Sequence, residues 1–217
     1  MYKEKILIGT DTISGIAPQI LDAITEASQI KTLPYGNDDI TEECKNIVKN
    51  IFEKSDLEII PMVSGTASNS LALSSFLRSY GGVICHSDAH INKDEGGAPE
   101  FFSGGGKLLT ISNSLGRVRA HDLIKKIDEI NFKSKSSSLI SGVSITQLAE
   151  NGTFYTLDEI DAISKICKRN NMYLHMDGAR FANAIVSQGL ISPAEATWKV
   201  GVDCLSLGAT KYGAMAA

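Results

Sequence analysis

Apolar positions along this chain follow two rhythms. Pro18 opens a segment with Ile20, Leu21, Ile24 and Ala27 three or four residues apart, the spacing of a helix entered through proline. Ile40–Lys54 repeats that spacing through Ile47, Val48 and Ile51. From residue 57 onward, short apolar runs alternate with helical stretches. The runs Leu57–Val63, Gly82–His86, Leu108–Ile111, Leu139–Thr146, Met172–Met176 and Val202–Leu207 predict strands. Between them, helices are predicted after Ser64 (through Leu71, Leu73 and Leu77), over His121–Glu129 and over Leu157–Asn170, with a loop or helix at Ala89–Glu95. Strands alternating with helices predict an α/β fold, a mostly parallel sheet with helices on both faces. Residues 1–17 read as an arm with a short apolar run at Ile6–Ile8. Leu33–Asp39 reads as a turn-rich loop carrying Tyr35, and Lys133–Ser138 as a polar loop. No interdomain linker interrupts residues 1–217, which read as one domain.

Two of the predicted strands deliver chemistry. Met172–Met176 stops at Asp177, followed by Gly178 and Arg180, and Val202–Leu207 stops at Gly208 and then Lys211. The carboxyl edge of an open α/β sheet is where ligands sit. A carboxylate and an amine there suit an aromatic cofactor with a basic ring nitrogen and an aldehyde, which describes pyridoxal 5'-phosphate. Taken singly, Asp177 also reads as a turn former and Lys211 as a solvated side chain.

Ser64-Gly65-Thr66-Ala67 lies between a predicted strand and a helix, so Gly65 and Thr66 are candidates for a phosphate at a helix N-terminus. A plain N-cap by Ser64 or Thr66 suits the same residues. Gly104-Gly105-Gly106-Lys107 lacks the first glycine of a P-loop and has Leu108 where a magnesium-binding hydroxyl belongs, and no G-x-G-x-x-G occurs. His86 and His90 are four apart but have no third ligand at metal-binding spacing, so no metal is expected. His90 would reach the same sheet edge as Asp177 and Lys211; His175 reads as a satisfied core residue and His121 as solvated.

Composition adds limits. The 217 residues are 43% hydrophobic and 21% charged, with net charge −4, which argues against nucleic acid or an anionic membrane as the main partner. No apolar run is long enough to cross a bilayer, and no secretory signal is read at the start. Cys44, Cys85, Cys167 and Cys204 form no C-x-x-C pair and read as free thiols in a reducing, cytoplasmic setting.

The strings S-G-T-A-S-N-S-L-A-L, C-H-S-D-A-H-I-N-K-D-E-G-G-A-P-E-F-F-S-G-G, T-Q-L-A-E-N-G-T, L-H-M-D-G-A-R-F-A-N-A and S-L-G-A-T-K resemble the low-specificity threonine aldolases, in the right order over essentially the whole chain. Those are pyridoxal-phosphate enzymes of the β-eliminating-lyase group with the aspartate aminotransferase fold. The resemblance implies a β-hydroxy amino acid substrate, cleavage of L-threonine or L-allo-threonine to glycine and acetaldehyde, and a homo-oligomer, dimer or tetramer. It assigns the cofactor Schiff base to Lys211, the ring nitrogen to Asp177, the phosphate to Gly65 and Thr66, and stacking and proton handling to His90. It gives the substrate carboxylate to Arg180 and to Thr12, in a T-D-T loop where the family has S-D-N or S-D-T. Tyr35 would lie near the site, shared across a dimer interface.

Two departures shape the expectation. The family continues past its lysine into an antiparallel strand and a C-terminal small domain carrying a second carboxylate-binding arginine, whereas this chain ends at Ala217, six residues past Lys211. It therefore reads as the large domain of such an enzyme, C-terminally incomplete. Tyr212 stands where the family usually has Asn. The competing readings are an inactive remnant that binds only the cofactor or a partner chain, and a neighbouring β-elimination or transamination reaction.

Overall fold

A computed structural model describes residues 9–13, 15–133 and 140–215; the Ile6–Ile8 run and residues 134–139 lie outside the described residues. The elements follow in chain order: α1 (Pro18–Ala27), α2 (Asp39–Ile51), α3 (Gly65–Ser74), β1 (Gly82–His86), α4 (His90–Lys93), α5 (Ala98–Phe102), β2 (Lys107–Ile111), α6 (Ala120–Lys133), β3 (Ile140–Thr146), α7 (Leu157–Arg169), β4 (Tyr173–Gly178), α8 (Phe181–Ser187) and β5 (Cys204–Leu207). Local chemistry accounts for several starts. Pro18 sits in the first turn of α1, and the Asp38 carboxylate accepts the Thr41 N–H at the head of α2. Thr156 and Glu159 form a reciprocal capping box on α7.

The five described strands form one all-parallel sheet in the order β2-β1-β3-β4-β5. The predicted strand at Leu57–Val63 is not formed; the segment is irregular, with Ile60 and Val63 exposed. Pro61 has no N–H to give a ladder, and among the described residues no neighbouring strand pairs with the run.

Period-two alternation sorts the strands' side chains onto two faces. Ile84, Val143, Ile145, Leu174 and Met176 point into the larger core, against Leu123 and Ile127 of α6 and Ile160, Ile163 and Ile166 of α7. Val83 and Cys85 point the other way, toward Leu73 and Leu77 on α3 and just beyond it. Helices thus cover both faces, as the alternation predicts. After β1 the chain goes outward to β2 and then returns to the other side of β1 for β3, so the order reverses between β1 and β3. Ligands of open α/β sheets sit beyond the strand carboxyl ends at such a reversal.

The α3-facing side of β3, β4 and β5 carries polar residues instead of apolar ones. His175 lies fully buried in the middle of β4, its Nδ1 2.9 Å from Ser144 Oγ and its Nε2 3.1 Å from Ser206 Oγ on the flanking strands. Each hydroxyl can donate or accept, so a neutral imidazole is satisfied on both sides. Burial pushes the His175 imidazole down to about 4, with the Asp177 carboxylate opposing. A histidine that charges at about 4 in the folded chain and near 6.5 in the unfolded one makes the unfolded state the stronger proton binder between those values. Urea midpoints should therefore fall as pH drops from 6.5 to 4, with His175→Asn losing about 2–3 kcal/mol less than the parent across that window. Parallel pH profiles for the two proteins would contradict this account.

Candidate active site

Asp177 is the penultimate residue of β4, paired in register with Thr146 of β3 and Ser206 of β5. Its place on the alternation puts it beside His175 on the face that α3 covers, almost wholly buried. A buried carboxylate needs donors, and Asp177 has two. Its Oδ1 accepts the Ala179 N–H at 3.0 Å, and its Oδ2 accepts the Asn69 side-chain amide of α3 at 3.0 Å.

The same Asn69 nitrogen reaches Glu95 Oε1 at 2.7 Å, and that oxygen lies 2.9 Å from His90 Nδ1. His90 opens α4 just beyond the carboxyl end of β1, and Glu95 follows in the next turn with its side chain fully buried. The His90 imidazole is held above its ordinary value mainly by the Glu95 hydrogen bond; burial opposes this, and the charges of Glu95, Asp177 and Glu150 reinforce it. His86, by contrast, turns away: its Nδ1 accepts the Asp88 N–H and its Nε2 lies 3.2 Å from the Asn113 carbonyl, to which it can donate. Among the described residues no group of three His, Cys, Asp or Glu side chains is arranged to hold a metal ion.

Lys211 arrives from β5. Gly208 passes so close to the end of β4 that a Cβ there would lie 2.9 Å from the Ala179 Cα, and its N–H meets the Gly178 carbonyl at 3.3 Å. The chain then makes a 3-10 turn over Thr210–Tyr212. The Tyr212 hydroxyl accepts the Ala182 N–H at 3.1 Å and donates to the Ala179 carbonyl at 3.3 Å. Tyr212 thus staples the lysine turn to the head of α8, an account of this residue that the sequence does not offer. Lys211 is half-buried there, and its positive charge contributes to keeping the Asp11 carboxyl low, after the larger effect of Arg180.

Arg180, at the N-cap of α8, is already paired within the chain. Its Nε and Nη2 form a fork on the Asp11 carboxylate, and its Nη1 donates to Glu150 Oε2 at 3.1 Å. Asp11 therefore brings the arm to the sheet edge, and Thr12 beside it bonds only to Thr10 among the described residues. A second tie, Ala17 N–H to the Gly213 carbonyl at 2.9 Å, fastens the arm to the lysine turn. Tyr35 is not brought to this edge; it lies 95% exposed in the loop between α1 and α2.

Gly65 and Thr66 form the first turn of α3. Ser64 Oγ accepts the Ala67 N–H, leaving the N–H groups of Gly65 and Thr66 at a positive helix end. A Cβ built on Gly65 would meet no atom within 4 Å, so the space over that turn is open. A positive helix end at α3, an acid on β4, an amine after β5 and an imidazole after β1 lie at one edge, a donor set that fits a phosphorylated pyridine aldehyde. Residues that the sequence reading passed over are Glu95, Asn69, Asp11 and Glu150. The first two stood in plain view inside E-G-G and A-S-N, but only the fold turns them inward.

A family model described as "Beta-eliminating lyase" matches residues 8–216. Over 207 residues the chain is 42% identical to the low specificity L-threonine aldolase of Pseudomonas aeruginosa, covering 94% of this chain and 58% of that protein. The low specificity L-threonine aldolase of Saccharomyces cerevisiae is 27% identical over 192 residues, 83% of this chain and 46% of that one. The solved threonine aldolase of Leishmania major superposes with a TM-score of 0.88 at 30% identity, over 95% of this chain and 59% of that chain. The chain thus spans a little under three fifths of the Pseudomonas aeruginosa protein and of the Leishmania major one. A sheet order, a set of side chains and a family match that runs almost end to end point the same way, and the chain belongs to the beta-eliminating lyase family.

Proposed function

We propose that this chain forms the cofactor-binding part of a pyridoxal-phosphate-dependent aldolase that splits L-threonine or L-allo-threonine into glycine and acetaldehyde. The observation that supports it most is the meeting of Asp177, His90, Arg180 and the Lys211 turn at one carboxyl edge, linked by hydrogen bonds through Asn69, Glu95, Asp11 and Tyr212. The 42% identity to a protein named for that reaction supports the substrate class.

On this reading Lys211 would hold the cofactor through its aldehyde, Asp177 would pair with its ring nitrogen, and the first turn of α3 at Gly65 and Thr66 would take its phosphate. Bound there, pyridoxal phosphate supplies an electron sink for the pair left at Cα when the Cα–Cβ bond breaks. A carboxylate within hydrogen-bond reach favours a protonated partner by typically 1–3 pKa units, so Asp177 would favour a charged ring nitrogen. Arg180 offers the planar fork that suits a substrate carboxylate. Because Asp11 occupies that fork in the structure, a substrate carboxylate has to share it or displace Asp11, with the Thr12 hydroxyl alongside. His90 accepts the β-hydroxyl proton as the aldehyde leaves.

The N-terminal helices favour a second copy of the chain as partner. Neither α1 nor α2 buries a single residue, and Leu21, Ile24, Ile40, Ile47 and Ile51 stand exposed on them with Tyr35 on the loop between. An apolar surface of that extent is an association surface. On this reading the oligomer covers it and delivers Tyr35 to the neighbouring site.

Mixed with pyridoxal phosphate, the purified chain should gain the visible absorption of a lysine adduct and release aldehyde from threonine. Lys211→Ala should lose both, and His90→Gln should keep the absorption while slowing release by about 10²–10⁴-fold. A soluble chain that gains no such band would end the proposal; a band without aldehyde release would favour the binding-only alternative. Sedimentation should show a dimer or larger species that Ile47→Glu with Ile51→Glu shifts toward monomer. A parent chain that sediments as monomer removes the interface reading and leaves the rest standing.

A further inference from the structure

The Glu95 side chain is fully buried, with Gly96 and Gly97 behind it both in the left-handed region at φ 60° and 79°. Two consecutive left-handed residues are reachable at low cost only by glycine, and they turn the chain sharply enough to leave Glu95 pointing inward. A carboxyl group cut off from water must find its partners in the protein. Its Oε1 finds two, the Asn69 amide at 2.7 Å and His90 Nδ1 at 2.9 Å. With one lone pair taken by an amide that can only donate, the bond to His90 is completed by a proton on Nδ1. Among the described residues no group bonds to His90 Nε2, and the imidazole keeps 35% of its side-chain surface exposed. The exposed ring nitrogen is therefore the one that Glu95 does not touch.

We propose that Glu95 is the positioning residue for His90: it holds the imidazole as the Nδ1–H tautomer, so that Nε2 faces the ligand space as a bare proton acceptor. The Asn69 amide, shared between Glu95 Oε1 and Asp177 Oδ2, ties this acceptor to the acid at the end of β4 in one hydrogen-bonded array. A free imidazole prefers no fixed partner and rotates; here ring orientation and tautomer follow from one bond, the role a carboxylate plays for a base histidine in hydrolytic triads. What His90 acts upon rests on the aldolase reading, but the tautomer does not. Among the described residues the charges that act most on His90 are those of Glu95 from its own loop, Asp177 from β4 and Glu150 beyond β3, with Arg180, paired to Glu150, and the Lys211 turn at the same edge.

Histidine-selective 15N NMR on the purified full chain, with and without pyridoxal phosphate, tests this directly. The chain has four histidines, and His90→Gln assigns the signal. At alkaline pH, His90 should show a protonated Nδ1 and an unprotonated Nε2. Glu95→Gln, which keeps an oxygen acceptor but removes the charge, should retain that tautomer while its protonation midpoint falls. Glu95→Ala should lose the tautomer preference, with the buried His175 signal unchanged as the sign of an intact fold. Should Glu95→Ala fail to fold, the midpoint in Glu95→Gln still decides. A parent His90 carrying its proton on Nε2, or a Glu95→Gln midpoint equal to the parent's, would overturn the assignment. Where aldehyde is released, the acid limb of kcat against pH should move down in Glu95→Gln. A parent with the expected tautomer but no aldehyde release would fail the aldolase reading and leave the role of Glu95 intact.

Discussion

A carboxylate taken out of water at the end of β4 is the constraint on which the rest of this edge depends. Removing such a charge from solvent is costly unless hydrogen bonds replace the lost hydration. Asp177 recovers two, one from the backbone just beyond its own strand and one from Asn69 on α3. The second bond reaches across 108 residues of sequence. It exists only because α3 lies over the β4 and β5 ends, so docking the helix and satisfying the acid are one event.

From Asp177 the same logic spreads outward. Asn69 has amide protons to give and gives them to two acids, Asp177 and Glu95, and Glu95 in turn fixes His90. On the other side, Arg180 joins Asp11 of the arm to Glu150 beyond β3. The arm and the segments after β1, β3, β4 and β5 therefore meet in alternating charge. Like charges are kept apart by an amide or a guanidinium, which lets several acids share one edge. Low local dielectric makes the buried bonds among Asn69, Asp177 and Glu95 strong when made and costly when broken, whereas the Arg180–Asp11 pair is partly exposed and screened.

Several features were legible in the linear chain for physical reasons. The runs at Gly82–His86, Met172–Met176 and Val202–Leu207 are short, apolar and bounded by turn formers, and they fold as parallel strands. The run at Leu57–Val63 has the same look, yet it stays irregular, since a strand is a pairing, Pro61 lacks an N–H to give, and no described strand lies alongside it. The helix over Phe181–Ser187 went unread because F-A-N-A is short and lacks a strong cap of its own. Its head is completed by Tyr212 from 30 residues away.

By itself, the amino-acid order determined the alternation of strand and helix, the family likeness, and the identity of the acid, amine and imidazole that end up at one edge. Those follow from local periodicity and from residue types in fixed order, which the chain carries whether folded or not. Only the tertiary structure decided that Glu95 lies buried behind His90, that Arg180 is already clasped by Asp11, and that Tyr35 stands far out on an exposed loop. Each of these is a contact or a distance between segments remote in sequence, set by how α3 and the arm dock on the sheet, and no local pattern encodes it.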